Sequence, residues 1–78
     1  MSIPKDITGK ELIKLLKPLG YSVIRQTGSH IRIQTNLNGT HSQTIPNHSP
    51  IKLGTLNSIL KDIALHFNIT KEELLNKL

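Results

Sequence analysis

The run His30-Ile31-Arg32-Ile33-Gln34-Thr35 alternates strictly between polar and apolar side chains, the period of a strand with one buried face and one wet face. Ile31 and Ile33 must point together into a core, which sends His30, Arg32 and Gln34 to the opposite, solvent-facing side. Such a strand needs neighbours. Before it, Thr27-Gly28-Ser29 is turn material, and the segment Tyr21 to Gln26, with its β-branched pair Val23-Ile24, reads as the first arm of a hairpin. After it, Asn36-Leu37-Asn38-Gly39 reads as a second turn, and His41-Ser42-Gln43-Thr44-Ile45 as a third strand ended by Pro46. The expected sheet is a three-stranded antiparallel meander.

Helical signals flank it. Thr8-Gly9-Lys10-Glu11 fits a capping box, with Ile7 and Leu12 placed as a hydrophobic staple. Leu12, Ile13, Leu15, Leu16 and Leu19 form an apolar face at helical spacing, while Lys10, Lys14 and Lys17 recur on another. Pro18 removes an amide and crowds the preceding turn, so the last turn should be distorted before Gly20 stops the helix. Beyond the loop Asn47-His48-Ser49-Pro50, the residues Leu53, Leu56, Ile59, Leu60, Ile63, Ala64 and Phe67 predict the main core helix. A second capping box, Thr70-Lys71-Glu72-Glu73, with Ile69 and Leu74 as its staple, opens a short last helix ending at Leu78. This order predicts an α+β fold: a two-layer α-β-β-β-α(-α) domain with helices on one face of the sheet and the other face wet.

Length and composition limit what such a fold can do. The 78 residues suffice for one domain, 1–78, with a modest core. No cysteine is present, which removes disulfides and thiolate metal sites and favours a cytoplasmic location. No stretch approaches the roughly 18 apolar residues of a membrane span. Lys plus Arg number 10 against 5 Asp plus Glu, a net charge of +5 that attracts polyanions, nucleic acid first among them. The aromatic residues are Tyr21 and Phe67, too few for base-stacking platforms, so phosphate and sugar contacts are the expected mode. Lys10, Lys14, Lys17, Arg25 and Arg32 are the candidate RNA contacts.

His30 is the candidate for chemistry, because it heads a strand, faces solvent and shares its face with Arg32. An unperturbed imidazole titrates near pH 6.5, so it can accept or donate a proton at neutral pH. RNA carries its own nucleophile, the 2′-hydroxyl, and needs a base, an acid and a cation near phosphorus. Arg32, Ser29 and His48 are candidate assistants. His41 and His66 are read as structural, the latter suited to a helix C-terminus. The four histidines lack the spacing of a metal site, and neither a metal nor another cofactor is expected. P-loop, dinucleotide and nucleophile-elbow motifs are missing, and Ser29 has no evident Asp for a relay. The alternatives are a non-catalytic RNA-binding module of the same fold and a domain whose basic face meets an acidic protein.

The ordered set Gly9-Lys10-Glu11-Leu12, Leu15-Leu16, Leu19-Gly20-Tyr21, Arg25-Gln26-x-Gly28-Ser29-His30, Ile45-Pro46-x-His48 and Gly54-Thr55-Leu56-x-x-Ile59-Leu60-Lys61 resembles HicA-type toxins over almost the entire chain. The resemblance implies a fold like the double-stranded RNA-binding domain. It also implies an mRNA interferase, a translation-blocking ribonuclease acting on mRNA and neutralised by a HicB-type antitoxin. His30 falls where such toxins carry their catalytic histidine, and His48 on their second, less universal one. The chain departs from many relatives in Ile31, where they show a second consecutive histidine, in a longer polar segment between strands two and three, and in Pro18.

Overall fold

The computed structural model describes residues 6–78. Helix α1 spans Gly9–Leu16, and the capping box is formed as expected. The Thr8 hydroxyl accepts from the Glu11 amide at 3.1 Å and the Glu11 carboxylate accepts from the Thr8 amide at 2.9 Å. That backbone bond holds the Glu11 carboxyl below its usual range. Pro18 converts the following turn, Lys17–Leu19, into a 3-10 helix, the distortion its missing amide demands. A Cβ on Gly9 would collide with the carbonyl oxygen of Pro46, so glycine lets α1 start directly against the segment after the third strand. The Gly9 amide donates to the His48 carbonyl there at 3.1 Å.

Strands β1 (Ser22–Thr27), β2 (His30–Thr35) and β3 (His41–Pro46) form one antiparallel sheet in the order β1-β2-β3. Helix α2 (Leu53–His66) and the shorter α3 (Lys71–Lys77) follow, α3 opened by the Thr70–Glu73 capping box. The architecture is α+β and like the double-stranded RNA-binding domain. A single cluster binds the layers: Ile31, Ile33 and Ile45 from the sheet pack with Leu12 and Leu16 of α1, Leu56, Ile59, Leu60 and Ile63 of α2, and Leu74 of α3. No helix of the described residues is long and apolar enough to cross a membrane.

Two expectations are refined. Leu53, placed in the core helix's apolar set, is 58% exposed; it begins α2, and the chain buries Ile51 ahead of the helix in its stead. The helices also cover less of the sheet than a full layer would. Their closest approach is to β3, and every residue of β1 is exposed, including Val23 and Ile24. β1 is therefore an edge strand that α1 covers only loosely on its core side.

Candidate active site

The alternation read in β2 is realised: Ile31, Ile33 and Thr35 are buried while His30 and Arg32 are exposed. Cross-strand register extends each face over the neighbouring strands. His30 lies opposite Thr27 and Pro46, and Arg32 opposite Arg25 and Thr44. Arg25, Thr27, His30, Arg32 and Thr44 together line a pocket of about 210 Å³ on the open face.

Arg25 reaches that face through an irregularity. Val23 pairs with Ile33, on the core side; continued without a break, the register would set Arg25 opposite Ile31, on that same side. The two-residue turn Gly28-Ser29, with Gly28 at φ 56°, instead fixes pairs one residue out of step, and a bulge at Ile24 absorbs the difference. The bulge turns Arg25 over to face Arg32.

Two guanidiniums directly opposite each other repel. Neither is ion-paired among the described residues, and no carboxylate lines the pocket. Arg32 is steadied by one bond, from Nη1 to the Thr44 hydroxyl at 3.0 Å. The His30 ring has no hydrogen-bond partner among the described residues, so both nitrogens are available. The pocket thus offers an unengaged imidazole beside two unneutralised cations, an arrangement suited to a phosphodiester.

The other expected site residues lie apart from it. Ser29 sits in the turn, and its carbonyl accepts from the Asn47 amide at 2.7 Å. His48 is exposed in the loop after β3; neither it nor Ser29 lines the His30 pocket. Lys10, Lys14 and Lys17 line a different groove, between α1 and β1. Thr27 and Thr44 were missed by sequence reasoning; the alternation of β3 about buried Ile45 is the signal that puts Thr44 on the open face.

The far end of the sheet holds a second histidine cluster, on the opposite face. His41 pairs with Thr35, five positions along β2 from His30, roughly 17 Å away at strand rise. Its Nε2 lies 3.0 Å from the Asp62 carboxylate and its Nδ1 2.7 Å from the Tyr21 hydroxyl. With Nε2–H donating to Asp62, Nδ1 is left to accept from Tyr21. Gln43 also donates to Asp62, at 2.8 Å. The His66 ring stacks on His41 with centroids 4.5 Å apart and bonds the Leu37 carbonyl at 3.0 Å. Burial, helped by the Asp62 charge, pushes the Tyr21 hydroxyl up to about 12. Tyr21 is only 2% exposed and cannot stack on a base.

The fold and site together define a small two-layer α+β domain with an open, basic sheet face. A family model described as the HicA toxin of bacterial toxin-antitoxin matches residues 9–65, and the chain belongs to that family. No curated protein and no solved structure matches it.

Proposed function

We propose that this HicA-family toxin is a metal-independent endoribonuclease that blocks translation by cutting mRNA, with His30 as general acid or base. The observation carrying this reading is the pocket itself, where His30, Arg25 and Arg32 converge without a carboxylate. A phosphodiester seated between the guanidiniums gains from both, and its added negative charge in the transition state strengthens those bonds further. The 2′-oxygen loses its proton and bonds to phosphorus as the bond to the 5′-oxygen breaks. The leaving oxygen takes up a proton, so the products are a 2′,3′-cyclic phosphate and a free 5′-hydroxyl. One imidazole serves one of these proton transfers and solvent the other. Thr44 positions Arg32, while Ser29 and His48, which lie outside the pocket, take no part in the proton transfers. A HicB-type antitoxin neutralises the activity in the cell.

The test is incubation of purified wild-type and His30→Ala protein with end-labelled RNA in EDTA, followed by gel analysis and identification of the new ends. Cyclic-phosphate fragments from the wild type alone are expected. Intact RNA with both proteins, despite retained binding, would replace this reading by a non-catalytic RNA-binding module.

A further inference from the structure

The edge that the helices cover only loosely carries a second surface. Between α1 and β1 runs a groove of about 390 Å³ lined by Ile13, Val23, Gln26 and Ile31, of which Val23 is the apolar residue open to solvent, with Lys10, Lys14 and Lys17 beside it. Val23 sits on the core side of β1, opposite Ile33, yet is 51% exposed because α1 stands off from it and leaves the groove open. Among the described residues the outer edge of β1 has no strand partner, so its backbone groups on that side are open to another chain. None of the three lysines is ion-paired among the described residues, and the nearest acid on α1, Glu11, is committed to the capping box.

An exposed apolar side chain, flanking cations and an open strand edge together fit one kind of occupant. We propose that the α1–β1 groove docks an acidic amphipathic segment of the cognate antitoxin. Its carboxylates meet Lys10, Lys14 and Lys17, and its apolar side chains cover Val23. This rests on the toxin–antitoxin reading. The lysines alone would suit RNA equally well, but a sugar-phosphate chain brings nothing apolar to remove Val23 from water. The groove and the His30 pocket lie on opposite faces of β1, so anchoring the antitoxin here and covering His30 are separable tasks.

The experiment compares the full-length wild type, Val23→Asp and the triple variant Lys10→Glu/Lys14→Glu/Lys17→Glu. Each is checked for fold by circular dichroism, then measured for affinity to purified cognate antitoxin and, in its absence, for binding and cleavage of labelled RNA. Val23→Asp is expected to weaken antitoxin binding at least tenfold with cleavage by the free toxin unchanged. The triple variant should weaken the same binding and reduce its salt dependence. Unchanged antitoxin affinity in a folded triple variant would overturn the proposal, whether or not Val23→Asp folds. Loss of RNA binding by the triple variant with antitoxin binding intact would also overturn it and assign the groove to RNA. Absence of cleavage by the wild type would instead defeat the nuclease reading and leave the antitoxin comparison standing.

Discussion

His30 opens β2 with an exposed ring and no hydrogen-bond partner among the described residues, while His41 opens β3 with both nitrogens engaged, by Tyr21 and Asp62. Each begins a strand and follows a turn, and each ring is a candidate acid or base on residue type alone. Sheet parity separates them. His41 lies on the helix-facing side with Gln43 and Ile45, where Asp62 and His66 of α2 close over it; His30 lies on the side that no helix of the described residues reaches. An imidazole fixed between a hydroxyl and a carboxylate has no nitrogen left for a substrate, whereas one beside two guanidiniums has two. On the proposed reading the first ring holds the fold and the second meets the RNA.

The largest effect that could break this comparison belongs to His30. Replacing it with Ala should lower RNA cleavage by about 10²–10⁴-fold, the usual contribution of a general acid or base. Thermal unfolding should move by no more than about 0.5 kcal/mol, because an exposed strand residue adds little to a core. His41→Ala should do the reverse. It leaves the Tyr21 hydroxyl buried without a partner and removes the stack on His66, at a cost of about 2–3 kcal/mol in denaturant titrations. Cleavage per folded molecule should stay at the wild-type rate. A His41 variant that folded normally and lost cleavage would reverse the roles assigned to the two ends.

The difference between the two ends also marks what the sequence could reveal. Local signals were legible: both capping boxes, the Pro18 distortion, the hairpin turn and the alternation of β2 each depend on residues within a few positions of one another. Those signals placed His30 and Arg32 on the open face. The His41 network was not legible, because Tyr21, His41 and Asp62 stand 20 and 21 residues apart and meet only when α2 packs on β3. Arg25 was named for its charge alone. Its place in the pocket depends on the bulge at Ile24, which arises where two registers collide and has no glycine or proline to announce it. The bare edge at β1 escaped for a similar reason, since Val23 and Ile24 carry the composition of a covered strand and are half exposed.

Alkaline titration sharpens the structural end with a smaller effect. The Tyr21 hydroxyl ordinarily titrates at 10.0 and is pushed up to about 12 in the fold, so the folded state holds its proton more tightly than the unfolded chain. The stability linked to that proton is complete below about pH 10 and is lost as pH rises toward 12. Melting temperatures measured across this window should therefore fall more steeply for the wild type than for Tyr21→Phe. At neutral pH the same substitution should cost about 1 kcal/mol, the worth of one hydrogen bond. Parallel curves for the two proteins would mean that the hydroxyl is not buried against His41 in solution.

The smallest effect concerns the chemical end, and there its sign is informative. Arg25 faces Arg32 with no intervening carboxylate, so each destabilises the other in the free protein. Arg25→Ala should leave folding stability unchanged or raise it by about 0.3 kcal/mol, while weakening RNA binding a few-fold. A lost phosphate contact also predicts a shallower salt dependence, by about 0.7 in the slope of log affinity against log salt for single-stranded RNA. Arg32→Ala should weaken binding more, because Thr44 already holds Arg32 in place and less freedom is lost when the phosphate arrives. A residue whose removal helps the fold and harms binding is retained for its ligand. If Arg25→Ala lowered stability and left the salt slope unchanged, the cross-strand arginines would be surface charge, and His30 would have to act on RNA without the pair.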